Sequence, residues 1–452
     1  MDIIAKTKKF FLISGDLIVL YMALLLTLIL RYGSDWFYQW DFHFYPFTIV
    51  YLLTIIVFYI IGLYDLHTAR NNFAFFTTLV KAITASAILA ITFFYFIPYF
   101  GIAPKTNLFL NLAIITLLLA GWRQFYNYSL KTSALLNNIL VIGQNKETQE
   151  LIEYINHHPQ LGYRIKKIAL SEELKILHDL IDTIVQEKIQ IVLTAADPRK
   201  DSNLVRNLYQ CLPLKISIID LPAFYEKITN KIPVSAIEEI WFLENLMAEQ
   251  KIFFEAAKRM LDIVASLLLG ITTLVLFPLI ALLIKMGSSG PILIKQKRVG
   301  RDSRIFELVK FRTMLALAPD GSAEKAGAQW SKEKDDHITR IGKWLRKTRL
   351  DELPQVWNVL KSEMSFVGPR PERPEFAFSN ELLAQIPFYQ IRHVIKPGLT
   401  GWAQIKYPYA SSVEDNLQKL QYDLYYIKNR SFVFEIAIIL KTIKIILSGG
   451  GR

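Results

Sequence analysis

Four long apolar runs in the first quarter of the chain limit the fold more than any other feature. They cover roughly Phe10–Leu30, Tyr45–Tyr64, Leu79–Ile97 and Leu108–Trp122. Each is close to the ~20 residues that an α-helix needs to cross the hydrocarbon of a bilayer. The reading is a four-helix transmembrane bundle over residues 1–124. Asp16 and Lys81 interrupt two runs and are expected near helix ends or in the bundle interior. Lys6, Lys8 and Lys9 precede the first run, Arg70 lies between the second and third, and Arg123 and Lys131 follow the fourth. The first loop holds Asp35 and Asp41 without Lys or Arg; Arg31 at its edge and Lys105 in the third loop weaken the contrast without reversing it. Basic residues favour the cytoplasmic side, so both ends of the bundle are expected there. The first run is long and no small-residue cleavage site follows it, so no cleavable signal peptide is expected.

With 452 residues the chain is too long for one ordinary core. After the bundle, segments at Ile139–Gly143, Tyr163–Leu170, Ile189–Thr194 and Leu214–Asp220 read as strands, and Lys146–His157 reads as a helix. This rhythm predicts a parallel sheet, a Rossmann-like α/β domain over residues 135–245. Its first turn, Gly143-Gln-Asn-Lys-Glu147, lacks the two further glycines of a dinucleotide fingerprint. No tight NAD(P) binding is therefore expected. The domain reads as structural or regulatory, and is a candidate for self-association into a homodimer. The single cysteine, Cys211, excludes an internal disulfide framework.

A fifth run, Ile263–Ile284, carries no charge but contains Pro278. Proline interrupts a straight helix. Both flanks are basic: Lys258 and Arg259 before it; Lys285, Lys295, Lys297 and Arg298 after it. The expectation is a re-entrant helix–break–helix over residues 252–286, with Pro278 as the break and both ends cytoplasmic; a plain kinked span is the alternative. The remaining stretch, residues 287–452, is less apolar and rich in Arg, Pro and Gly, and is expected to form a further, cytoplasmic domain. Its apolar tail Phe432–Leu447, with Lys441 and Lys444, reads as an interfacial amphipathic helix or a core helix.

The net charge of +12, from 52 Lys+Arg against 40 Asp+Glu, suits an anionic membrane face or phosphorylated ligands. No pattern of base-reading aromatics accompanies the cations, which argues against nucleic acid. Within Arg346-Lys-Thr-Arg-Leu-Asp351-Glu352-Leu-Pro354, a helix should begin near Asp351, because Pro354 is tolerated only in a first turn. The two carboxylates then sit where free N–H groups and the helix dipole gather. That is ordinary capping chemistry. With Arg346 and Arg349 upstream, it also suits phosphoryl transfer to a carboxylate, with the neighbouring carboxylate holding Mg²⁺. Ile305–Met314 reads as a strand with Lys310 and Arg312 on one face. This is either a solvated basic face or a diphosphate contact. Arg370 and Arg373 stand on a proline-stiffened loop, either a surface turn or two phosphate contacts. Arg392 and Lys396 precede Pro397-Gly-Leu-Thr-Gly-Trp402, which is either a nucleotide cradle or a turn with a packed Trp. His393 reads as a satisfied or surface histidine rather than a base.

Four of these segments, in one order, resemble the bacterial sugar transferase family: Lys310-Phe-Arg-Thr-Met314, Arg346–Gln355, Val367-Gly-Pro-Arg-Pro371 and Lys396–Gln404. These are the monotopic phosphoglycosyl transferases, or polyisoprenyl-phosphate hexose-1-phosphate transferases, which include undecaprenyl-phosphate glucose and galactose phosphotransferases. The resemblance covers residues ~254–452, and the whole layout resembles the family's long members. It implies that Asp351 is the nucleophile and Glu352 the Mg²⁺ ligand. It further implies that Lys310, Arg346, Arg370 and Arg392 bind phosphate, with Arg312 and Arg373 as weaker inferences. The implied reaction moves a hexose-1-phosphate from a UDP-sugar to undecaprenyl phosphate and releases UMP. It would run at the bacterial inner membrane, at the start of exopolysaccharide, capsule or O-antigen synthesis. Arg349 departs from the family pattern, where many members carry serine. Two other classes share parts of this layout. A membrane-anchored NAD-dependent sugar-nucleotide dehydratase or epimerase needs the glycine fingerprint and a helical Tyr-x-x-x-Lys, whereas Tyr163 and Lys167 lie on an expected strand. A non-enzymatic assembly scaffold would not depend on Asp351.

Overall fold

The computed structural model describes residues 3–97, 106–129, 136–170, 177–195, 202–246, 252–318, 337–407 and 412–447. Lys105 and Lys131 lie outside these residues. The chain divides into two compact units, residues 1–227 and 228–452.

In the first unit each expected span lies almost wholly within a helix: α1 (Ile3–Tyr32), α2 (Trp36–Ile61), α3 (Phe73–Phe96) and α4 (Thr106–Ser129). Segments 7–61, 73–96 and 106–129 are long and apolar enough to cross a membrane. Leu20, Leu24, Phe47, Phe58, Leu79 and Leu119 fill the bundle core. Phe10, Ile18, Ile88 and Leu117 face outward, the inverse of a water-soluble surface. Asp16 is in the interior, ion-paired to Arg123. Arg123 also donates to the Leu63 carbonyl at 2.9 Å. Arg123, read from sequence as a flanking charge, is thus a buried member of α4, because the helix continues past the apolar run to Ser129. Lys81 is exposed on α3.

The α/β part follows with β1 (Asn137–Ile142), α5 (Lys146–His157), β2 (Tyr163–Ala169), α6 (Leu177–Gln186), β3 (Ile191–Thr194), α7 (Ser202–Gln210), β4 (Ser217–Asp220) and α8 (Leu221–Thr229). The strands form one parallel sheet in the order β2-β1-β3-β4. Leu140, Ile142 and Val192 share a core with Leu180 and Ile184 of α6 and Leu204 and Leu208 of α7. Gly143 takes φ 94°, the left-handed turn that glycine tolerates. The next helix start is capped by its own chain, since Asn145 Oδ1 accepts from Thr148 N at 2.7 Å. Tyr163 and Lys167 both lie on strand β2.

The second unit holds α9 (Glu239–Leu246), α10 (Ile252–Gly287), an antiparallel hairpin β5 (Leu293–Val299) and β6 (Ile305–Phe311), α11 (Arg340–Thr348), α12 (Val356–Leu360), β7 (Ser365–Val367), short helices α13 (Pro374–Ala377) and α14 (Asn380–Gln385), β8 (Gly398–Thr400), α15 (Trp402–Lys406), α16 (Val413–Asn429) and α17 (Phe432–Leu447). Ile232, Val234, Ile237 and Phe242 share a core with Val359, Trp402, Leu420 and Leu424. Residues 228–246, read from sequence mostly with the middle domain, therefore fold with this unit.

Helix α10 differs from the expected helix–break–helix, for it runs as one helical element through Pro278. Both its ends are seated on the same unit. At the N-terminal end Lys258 donates to Val367 O at 2.9 Å and pairs with Glu435. Asp262 Oδ1 accepts from Ser365 Oγ and Phe366 N at 3.0 and 2.9 Å. Past Pro278, Ile280 and Ile284 are buried against Phe311 and Leu345. Between these anchors Leu267, Leu268, Ile271, Leu274 and Val275 are all more than half exposed. Packing on both sides of the proline offsets the backbone bond it removes. Helix α17 has two faces: Glu435 and Ile438 are buried, while Val433, Ile436, Ile443 and Ile446 are exposed.

Candidate active site

The sequence around Asp351 folds as a sharp joint. Arg349 ends α11 with φ 55°, a left-handed conformation that costs a non-glycine residue about 1 kcal/mol. A 3-10 turn over Leu350–Gln355 follows and leads into α12. The helical start expected near Asp351 is present, as a 3-10 turn rather than α-helix, with Pro354 within it. Asp351 is 9% exposed. Trp357 is exposed with the Lys361 ammonium over its ring, while the neighbouring Asn358 is buried. Asn358 accepts from Val309 N at 3.1 Å and donates to Glu307 O at 2.7 Å. It thereby fixes strand β6, and with it Lys310, against the Asp351 turn.

Two close backbone approaches bring the arginines in. A Cβ on Gly342 would lie 1.9 Å from Thr313 O, so only glycine lets α11 approach the end of β6. One turn later, Arg346 Nε donates to Thr313 Oγ1 at 2.9 Å. On the other side β7 and β8 pair in parallel, and a Cβ on Gly398 would lie 2.1 Å from Gly368 N. This contact sets the Gly368-Pro-Arg370 loop. From it Arg370 Nη2 donates to Glu352 Oε1 at 3.1 Å, while Arg349 Nη1 stands 3.7 Å from Glu352 Oε2.

The site is electrostatically tense. Burial, then the neighbouring Glu352, pushes the Asp351 carboxyl up to about 7, against the pull of Lys310, Arg346 and Arg370. Burial, then the Arg298 guanidinium, pulls the Lys310 ammonium down to about 7. Burial disfavours ionised Glu352, but Arg370 and Arg349 outweigh it and hold the carboxyl below its ordinary value. One carboxylate is thus stably charged and the other is poised near neutrality.

The other candidate cations are placed elsewhere. Strand β6 ends at Phe311, so strand alternation no longer holds Arg312 beside Lys310. Arg312 is buried and donates to Ser289 O and, at 2.8 Å, to Ser288 O, just past α10. Arg392 is buried in a network of its own: it donates to Tyr389 OH at 2.8 Å and to Asp423 Oδ2 at 2.8 Å, with Glu372 at 3.6 Å. Arg392 Nη2 also reaches the Arg370 carbonyl at 3.4 Å, so this network backs the Arg370 loop. Arg373 is half-buried where the chain enters α13. The Lys396–Gln404 segment is a packed turn. Trp402 is buried and donates to Asn230 O at 3.0 Å, and Lys396 donates to Ser362 at 2.5 Å. His393 is buried, and burial, then Arg392, lowers it to about 4.

The sequence motifs include Thr313 but leave out Asn358, Glu372 and Asp423. Asn358 carried a signal, as a lone polar residue inside an apolar helical stretch. Glu372 and Asp423 show none before the fold is known. Among the described residues no group of three or more His, Cys, Asp and Glu side chains gathers as a metal cage. Carboxylate oxygens are the donors that Mg²⁺ prefers, and Glu352, ionised beside Asp351, would hold such an ion. The residues present fit that ion.

Residues 253–449 match the sequence profile of the family described as bacterial sugar transferase. A UDP-N-acetylgalactosamine-undecaprenyl-phosphate N-acetylgalactosaminephosphotransferase of Aeromonas hydrophila is 37% identical over 246 residues, 54% of this chain and 56% of that protein. The match therefore spans about half the length of that relative. A UDP-glucose:undecaprenyl-phosphate glucose-1-phosphate transferase of Caulobacter vibrioides is 37% identical over 202 residues, 44% of this chain and 72% of that protein. One of the same description from Klebsiella pneumoniae is 26% identical, covering 98% of this chain and 95% of its own length. With the motif residues gathered around Asp351 and these relatives alongside, the chain belongs to the bacterial sugar transferase family.

Proposed function

We propose that this membrane-bound transferase moves a hexose-1-phosphate from a UDP-sugar to undecaprenyl phosphate, at the start of exopolysaccharide, capsule or O-antigen synthesis. The observation that carries the reading is the buried Asp351 carboxyl, with Lys310, Arg346 and Arg370 close enough to depress it and Glu352 beside it. The ionised Asp351 oxygen attacks the β-phosphorus. The bond from that phosphorus to the bridging oxygen breaks, and UMP leaves. An oxygen of undecaprenyl phosphate then attacks the aspartyl phosphorus, which restores the carboxylate and yields the lipid diphosphate sugar. Lys310, Arg346 and Arg370 neutralise the diphosphate and the charge that grows on the departing UMP. Arg373 is a flanking contact, while Arg312 and Arg392 act by holding the ends of α10 and the Arg370 loop. Mg²⁺, held by Glu352 and shared with the diphosphate, would supply further neutralisation when bound. The names of the relatives support both the lipid acceptor and the donor class.

Asp351→Asn should abolish UMP release, by at least on the order of 10³-fold, and should leave no phosphosugar adduct on the protein by mass spectrometry. An adduct retained on Asp351→Asn would end the covalent scheme.

In this reading the site lies on the cytoplasmic face of the bacterial inner membrane, and α10, although unbroken at Pro278 and long and apolar enough to cross, returns to the same face rather than spanning. Its two anchored ends and exposed middle support that topology, as do basic residues on both flanks. Exposed Val433, Ile436 and Ile443 of α17 would rest at the interface. The parallel sheet of the first unit has a Rossmann outline, and its role is read as self-association rather than dinucleotide binding. Single cysteines at Ser289 and Ser303, in a Cys211→Ser background, should react with an impermeant reagent only after the inner membrane is opened. Labelling of both in intact cells would replace re-entry with a span.

A further inference from the structure

Glu352 is held from both sides. One carboxylate oxygen accepts from Arg370 at 3.1 Å and the other faces Arg349 at 3.7 Å. Its side chain is 15% exposed, and that of Arg349 is 18% exposed, so water screens neither contact well. A carboxylate facing two guanidiniums offers little lone-pair density to a cation. A divalent ion approaching it must also come close to two positive groups. The left-handed backbone at Arg349 is an independent sign that the position is constrained, since it keeps this strained conformation without being glycine.

The arginines that bracket Glu352 also have planar forks, which suit phosphate oxygens better than a single carboxylate oxygen. A nucleoside diphosphate entering the site would draw them toward itself. From this we infer that Arg349 and Arg370 keep Glu352 from the divalent ion until the donor diphosphate arrives, so that metal and nucleotide bind synergistically. Arg349 is then a positioning residue that sets the order of assembly. The inference rests on the assignment of Glu352 as the metal ligand.

The test measures Mn²⁺ binding to the purified full-length protein by electron paramagnetic resonance, without nucleotide and with saturating UDP. Arg349→Gln and Arg349→Ser should bind Mn²⁺ about fivefold more tightly than the wild type in the absence of nucleotide, the effect of one modest ion pair removed. With UDP present the difference should shrink. A merely structural disturbance would weaken binding in both states. Unchanged or weaker Mn²⁺ binding by nucleotide-free Arg349→Gln and Arg349→Ser overturns the inference. The Glu352→Gln variant separates the underlying assignment: if its Mn²⁺ affinity with UDP equals that of the wild type, Glu352 is not the ligand and both fall. If Glu352→Gln loses binding while the Arg349 variants gain none, the ligand assignment stands and the bracket alone is refuted.

Discussion

Two arginine clusters in the C-terminal unit look alike in sequence and are opposite in kind. Around Arg392, the carboxylates of Asp423 and Glu372 and the Tyr389 hydroxyl take up the guanidinium inside the protein. Around Asp351, Lys310, Arg346 and Arg370 face a site that also holds Arg349 and Arg298, against two carboxylates. With Lys419 beside the two carboxylates, the first network sets two cations against two anions and cancels its own charge. The second sets Lys310, Arg346, Arg370, Arg349 and Arg298 against two carboxylates and so carries an excess of positive charge. If this site takes a diphosphate, as proposed, it must be left electrically incomplete, because the ligand supplies the missing anions. A network meant to hold a loop must be complete without it.

The comparison breaks most visibly through stability. Removing one partner of a buried ion pair leaves the other charged and unsolvated, which costs about 3–5 kcal/mol. Arg392→Ala should therefore lower the thermal midpoint of the detergent-purified protein sharply and reduce its yield, with loss of folded protein the largest part of its effect on activity. Arg370 is 45% exposed at its side chain, so Arg370→Ala should change stability by no more than about 1 kcal/mol. Its kcat/KM should fall about 10- to 100-fold, the value of a charged hydrogen bond lost from a phosphate. If Arg370→Ala unfolds the protein while Arg392→Ala leaves it stable and slow, the two clusters have been assigned the wrong way round.

What the sequence disclosed follows from the range over which each signal acts. Hydrophobic length is local and strong, and the bundle helices and the four parallel strands lie where the runs predict them. Pro354 and its neighbours place a helical start at Asp351, because proline constrains its own turn. The sorting of Arg312, Arg346, Arg370 and Arg392 was not legible, because it depends on partners far along the chain. Arg312 turns to carbonyls 23 and 24 residues before it, and Arg392 to a carboxylate 31 residues after it. Pro278 shows the opposite failure. A local rule predicts a break, yet tertiary packing of Ile280 and Ile284 carries the helix through.

The finest division between the clusters is in their titration. Asp351 is raised to about 7 by burial and Glu352, while Lys310, Arg346 and Arg370 oppose the shift. In the proposed scheme Asp351 is the nucleophile and must be ionised, so kcat/KM of the free enzyme should rise with pH through that value on its acidic limb. Removing a cation that favours the ionised form raises the carboxyl further. Arg370→Gln should therefore move the acidic limb to higher pH, by about 0.5–1 unit, in addition to lowering the plateau. Arg392 is not among the main influences on Asp351; its own carboxylate is Asp423, which burial raises to about 6 while Arg392 pulls it down. A conservative Arg392→Lys that stays folded should leave the limb where it is in the wild type, even where stability drops. The measurement is the pH dependence of UMP release at low donor concentration for the three proteins side by side. A limb that moves with Arg392 and not with Arg370 would place the electrostatic control of Asp351 in the closed network, and the distinction between a complete and an incomplete cluster would fail.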